Sequence, residues 1–453
     1  MILYITALLT LLITSIVGFL GKLKVKTAND FTSAGNGLNY FGVIGMLMGS
    51  IVGGAATVGT TQMAFTSGLS ALWFIFGVSI SSILLGILYG KYADLNLKYT
   101  IPQIIGEKYG DNTRIIACML LSLGMLIHIN GQIFASMSLF SSMLNLHNVS
   151  SALLVTVMLL TYVLFGGFWS GTLVGGIKAI LLYTSSILCG LVLLSNSGYN
   201  EIFNFFPKEP WFNLFNHGIK QDLGTYISTI VGILSTQTYF QAIASAKNKK
   251  TSIKSSFTVA ILVLPIGFIC TFIGMYMRIH FPNIDPKEAF PQFLLNFLPP
   301  SLGGISIATI LISSIATGAA LSLGIATMIT KDIYKKILNK NSSDKQDLIV
   351  LRSIIIAICI VCFIIVVNNN SSLILNWGFM SMVFRATPIF IPLMCAIHFK
   401  HKINPKKGLF LVILGPTCSI LWILLGFNPL TSIYIGLFSS LLFLIISKLI
   451  KSL

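Results

Sequence analysis

Two cations, Lys178 and Arg385, stand inside stretches apolar enough to cross a bilayer, and no carboxylate accompanies either one there. All twelve Asp and Glu residues lie in connecting segments. That excludes the mid-membrane carboxylate relay on which pumps and many exchangers rely. Hydrolysis would need a nucleophile with its base, or a metal cluster. His128 is the one histidine in an apolar stretch, and a single imidazole makes no metal site. It reads as a hydrogen-bonded packing residue. The seven cysteines all fall in apolar runs, and the Cys359-x-x-Cys362 pair lacks the loop setting of a redox or zinc site. What remains are ammonium, guanidinium, hydroxyl and amide groups beside interrupted helices. Such groups hold ions and solutes; they do not make an enzyme.

The elements that must position these groups are membrane helices. Of 453 residues, 55% are hydrophobic and 9% charged, with mean hydropathy +0.89. A soluble domain carries about 25% charged residues. An all-α polytopic membrane protein follows, with the lipid bilayer as its partner. The net charge of +17 resides mostly in short loops, where it sets topology instead of binding nucleic acid. The first segment, MILYITALLTLLITSIVGFLGK, lacks a basic leader region and a small-residue cleavage site, so it reads as a retained span.

About thirteen apolar stretches have spanning length: 2–20, 41–67, 69–89, 115–144, 150–165, 172–194, 225–246, 256–277, 302–330, 349–367, 373–397, 409–427 and 433–449. The second is interrupted by Gly42, Gly45, Gly49, Gly53, Gly54 and Gly59. Each glycine costs roughly 1 kcal/mol in a helix interior. Glycines this dense either let neighbouring helices approach closely or let the backbone leave helical geometry around a cavity. With odd spans running inward, 23 of the 29 Lys and Arg fall on one side, at 22–26, 91–114, 247–254, 331–352, 400–407 and 448–451. The other side holds Lys208, Lys220, Arg278 and Lys287. This asymmetry predicts an outside N-terminus and a cytoplasmic C-terminus.

At the ninth span, ILISSIATGAALSLGIATMITKDIYKK resembles the signature of the sodium:solute symporter family, a small-residue helix ending in T-x-D-[IL]-Y-K. KTANDFTSAGNGL, AFTSGLSALW and YVLFGGFWSGTLVGGIK resemble further family segments, and INGQIFASMSLFSSML and TQTYFQAIASAKN agree more weakly. Together they cover residues 27 to 400 in order. The resemblance implies a five-plus-five inverted-repeat core of the leucine-transporter type, within a single transporter domain over 1–453. One extra helix precedes it (1–36), the repeats occupy 37–198 and 199–400, and two helices follow (401–453). It also implies a secondary active transporter of the cell (inner or plasma) membrane. A small organic solute moves by alternating access, coupled to Na⁺ or H⁺, with no other cofactor. The first and sixth core helices break at mid-membrane, on 41–67 and 225–246, with solute between them.

The family's sodium site maps onto the carbonyls of Gly49, Val52 and Ser313, with its hydroxyl pair on Ala316 and Thr317. Only Thr317 keeps a hydroxyl, and a hard cation wants several oxygens, although Ser313 or Ser314 could shift to replace the missing one. The family's aspartate after the GG turn is also gone, since Leu173-Val174-Gly175 stands in its place. Lys178 lies one turn beyond Gly175 and has two readings. Its ammonium takes the ion's place, as in some proton-coupled relatives of this fold, or it snorkels to the interface. Arg385 would pair with an anionic solute or with carbonyls near Pro388. Ser50, Gly53, Gln132, Gln237, Thr238, Gln241 and Trp377 complete the expected solute contacts, with His128 and Ser381 beside them. These are too few donors for a sugar and suit an amino acid or a carboxylate. The rivals are a sodium-independent or proton-coupled transporter with Lys178 as internal cation and, from another class, a solute-binding membrane sensor, against which stands the absence of a signalling domain after Leu453.

Overall fold

A computed structural model describes residues 1–33, 37–94, 100–144, 146–369, 374–398 and 404–449. Lys98, Lys400, Lys402 and Lys451 of the charge pattern lie outside the described residues. The chain begins with helix α1 (Ile2–Leu20), and the glycine-rich stretch follows as α2 (Tyr40–Ile51) and α3 (Thr60–Ser67). Then come α4 (Leu72–Tyr89), α5 (Asp111–Leu144), α6 (Asn148–Leu164) and α7 (Gly166–Ser195). The second half holds α8 (Ile219–Leu234), α9 (Gln237–Ala244), α10 (Lys249–His280) and α11 (Pro300–Met328). It closes with α12 (Asp344–Val367), α13 (Ile374–His398), α14 (Pro405–Leu424) and α15 (Ser432–Leu449).

Among the described residues, ten stretches are long and apolar enough to cross a membrane, where the sequence pattern predicts about thirteen. The difference falls on short or interrupted helices. The helices α2 and α6 are shorter than a full span, and α8 and α9 are two pieces of one expected span. The helices α6 and α7 meet in a kink at Gly167, whose φ of 51° brings its Cα onto the Phe31 carbonyl; a Cβ there would lie 2.4 Å from that oxygen. Only glycine tolerates this backbone at no cost.

Burial separates a core from a periphery. Of the best apolar window in the α11 segment, 94% is buried, against 17% for the first helix. The small residues of α11, ILISSIATGAALSLGIAT, let α1, α5 and the α6–α7 pair pack onto it closely. Its C-terminal extension Ile329–Leu338 carries Asp332, which is fully buried. Asp332 lies two residues beyond the span expected at 302–330. The charge is compensated: Arg114 sits 2.7 Å away and the Thr100 hydroxyl donates to the same carboxylate.

Candidate functional site

The first break follows from the glycines. Helix α2 stops at Ile51, Val52 has φ −87° and ψ 87°, and the chain passes through a π-turn at Ala55–Gly59 before α3. A break at this depth frees backbone groups that lipid cannot satisfy. Here neighbouring side chains satisfy them. Gln132 Oε1 accepts from the Gly54 amide at 2.8 Å, and the Ser313 hydroxyl donates to the Val52 carbonyl at 2.7 Å. The Gly49 carbonyl accepts from the Thr317 hydroxyl at 3.1 Å. Gly53 is obligatory, since a Cβ there would lie 2.4 Å from Gln132 Oε1 and 2.7 Å from Thr317 Oγ1.

The remaining partner is Lys178. Its ammonium donates to the Gly49 carbonyl at 2.8 Å, the Ser313 carbonyl at 3.0 Å and Thr317 Oγ1 at 3.3 Å. An ammonium has three N–H donors, so Lys178 is saturated by protein oxygens. It is 1% exposed, which excludes the snorkelling reading. A glycine seam brings it there. Gly45 and Gly49 of α2 face Gly171 and Gly175 of α7, and a Cβ on Gly175 would lie 2.1 Å from the Gly45 carbonyl oxygen. Gly175 therefore has no room for any side chain. Lys178, three residues on, shares its helix face. The close seam and the buried ammonium are one arrangement.

The second break is built differently. Helix α8 ends at Leu234, and Thr236 is extended (φ −100°, ψ 122°) before α9 begins. The Ser235 hydroxyl donates to the Val231 carbonyl at 2.8 Å and the Thr236 hydroxyl to Gly232 at 2.6 Å. The Tyr89 phenol covers the Leu234 carbonyl at 2.7 Å. Arg385 comes in from α13, fully buried. Its Nη1 donates to Thr236 Oγ1 at 2.7 Å, Nε to the Ser381 carbonyl at 3.2 Å, and Nη2 meets the Met382 sulfur at 2.9 Å.

The other expected solute contacts divide. Gln132 and Gly53 stand at the first break, with His128 Nε2 at 3.1 Å from Gln132 Nε2. Gln237 accepts from the Ile101 amide, Thr238 donates to the Ala320 carbonyl, and Gln241 donates to the Thr32 carbonyl. These three fasten α9 to its neighbours. Ser50 bonds back to Met46 within α2, and Trp377 packs its ring 5.5 Å from that of Phe134. Sequence reasoning missed Thr236 and Tyr89, which complete the second break; the Ser-Thr doublet at a helix end was the available signal. It also missed a cavity of about 540 Å³ above the breaks, lined by Gly59, Gln62, Ser67, His217, Asp222 and Phe379 among others. There His217 bridges Ser67 at 3.0 Å and Asp222 at 3.1 Å.

Comparison with known proteins agrees with this geometry. The osmoregulated proline transporter OpuE of Bacillus subtilis is 21% identical over 438 residues, covering 92% of this chain and 88% of that protein. The high-affinity proline transporter PutP of the same species is 22% identical, covering 90% and 89%. The fold matches a Na⁺-coupled sialic acid symporter in its substrate-bound outward-open state, with a TM-score of 0.82 at 18% identity over 98% of this chain and 96% of that one. The structure of MhsT in complex with L-phenylalanine matches at TM-score 0.57 and 13% identity, covering 89% and 97%. The sodium:solute symporter family matches residues 31–415. With a match over most of its length, and with two broken helices facing each other in a fold of this type, the chain belongs to the sodium:solute symporter family.

Proposed function

We propose that this secondary active transporter works without sodium at the family's ion position, because Lys178 supplies the cation there. One observation carries the reading: the Lys178 ammonium is 2.8 Å from the Gly49 carbonyl and 3.0 Å from that of Ser313. A sodium ion would have to share those oxygens with a fixed positive charge. The Val52 carbonyl, the third matching oxygen, already accepts from Ser313. A tethered amine cannot leave with the solute. It can change the charge of the site only by losing a proton, so any ion coupled through this position is H⁺.

The solute sits between the breaks, near Gly53, Gln132 and Arg385, and rocking of the core switches its exposure. The repeats divide at about residue 199, with two helices after about residue 400. The basic loop face is cytoplasmic, with the N-terminus outside, which suits the 23-to-4 charge asymmetry of a cell-membrane protein.

The test needs no solute. Thermal unfolding of the purified protein in detergent is compared in NaCl, KCl and choline chloride at matched ionic strength. The melting temperature is expected to be the same in all three and to fall in Lys178→Ala. A bound ion stabilises by RT ln(1 + [L]/Kd), about 2.7 kcal/mol at 100 times Kd. A rise specific to Na⁺ in the unaltered protein sinks the proposal.

A further inference from the structure

We infer that the transported solute is a small organic anion whose carboxylate is held by Arg385 at the second helix break; this rests on the transporter reading above. The two buried cations of the membrane core differ in one respect. Lys178 spends all its donors on protein oxygens, whereas Arg385 does not. A guanidinium has five N–H donors. The partners of Arg385 are one carbonyl, one hydroxyl and the thioether of Met382, a weak acceptor, with the Tyr239 phenol also in reach.

No carboxylate neutralises it. All twelve Asp and Glu residues are among the described residues, and none is ion-paired with Arg385. A charge buried without a counter-ion is costly, and an intramembrane ionisable group of this kind marks a solute or ion path. Capping the break does not require it, since Ser235, Thr236 and Tyr89 already cover the freed carbonyls. The planar fork matches a carboxylate and can exchange the sulfur for a charged oxygen.

The surroundings fit the same ligand. Gly124 of α5 lies against the arginine stem, where a Cβ would be 2.6 Å from Arg385 Cγ. His128, one turn further along that face, is buried, and its Nδ1 has no partner. Gln132 and Gly53 of the first break lie beyond His128. The His128 nitrogen without an acceptor and the uncompensated guanidinium are what an anion would satisfy and a cation would not.

The experiment uses the full chain in detergent, in KCl without sodium. Acetate, propionate, lactate and pyruvate are titrated against acetamide and propionamide, with the melting temperature as readout. At least one carboxylate is expected to raise it saturably while the amide of matching skeleton does not. Arg385→Met is expected to weaken the apparent affinity by ~100-fold or more, as losing a buried charge partner does, and Arg385→Lys by less. The inference is overturned if no carboxylate acts, if the amides act equally, or if the response survives in Arg385→Met. Should Arg385→Met not fold, the carboxylate-against-amide contrast in the unaltered protein decides. A sodium-specific rise measured separately would remove the Lys178 proposal and leave this one standing.

Discussion

The two helix breaks solve one problem by opposite means. At Val52–Gly54 the backbone is opened by glycine, and its freed groups depend on side chains from three other helices: Gln132, Lys178 and the Ser313–Thr317 pair. At Ser235–Thr236 no glycine occurs, and the two residues bond back to their own helix, helped by Tyr89. The first break is thus held by its neighbours and the second largely by itself. A break held by neighbours is sensitive to any shift of those neighbours, which suits a place where binding is coupled to movement. A self-sufficient break can lend its cation to a ligand. The difference separates the roles of Lys178 and Arg385 although both are buried positive charges.

Substitutions can break this contrast, beginning with the seam. Gly175→Ala is expected to have the largest effect, because its Cβ would lie 2.1 Å from a backbone oxygen that cannot move alone. Overpacking of this kind costs about 1–3 kcal/mol or more, read as a large fall in melting temperature or loss of folded protein. Lys178→Ala comes next, since the Ser313 carbonyl loses this donor and the Gly49 carbonyl keeps only Thr317. A cost of roughly 2–3 kcal/mol is expected for unpaired buried acceptors, and Lys178→Arg should not restore it, because a planar fork does not replace a point charge. Gln132→Leu strands the Gly54 amide, for about 1–3 kcal/mol. Tyr89→Phe removes one bond from the self-capped break and should cost the least, about 1 kcal/mol. Chemical or thermal unfolding of the four variants in one detergent would rank them. If Tyr89→Phe proved as costly as Gln132→Leu, the contrast between the breaks would be lost.

Much of the fold was legible because bilayer-length apolar runs leave few alternatives. The first break left a local signal, since the six glycines in 41–67 point to close helix contact or to a break; Gly45 and Gly49 serve the contact, and Gly53 and Gly54 stand at the break. The second break carries no such mark, and only the family resemblance located it. The role of the polar groups on α9 was the least legible. Gln237, Thr238 and Gln241 are polar groups on a buried helix, and a one-dimensional pattern cannot tell a solute contact from a bond to Ile101, Ala320 or Thr32.

By itself, the sequence determined the membrane class and the family, because these are properties of residue type and order. It left Lys178 between the interface and the ion position. Tertiary structure set its ammonium on the Gly49 and Ser313 carbonyls, because that outcome depends on how closely α7 approaches α2. That approach exists only where Gly175 meets the Gly45 backbone across two helices. The same holds for Arg385: its position in the apolar run was readable, but its want of a counter-ion is a fact about every group around it in space.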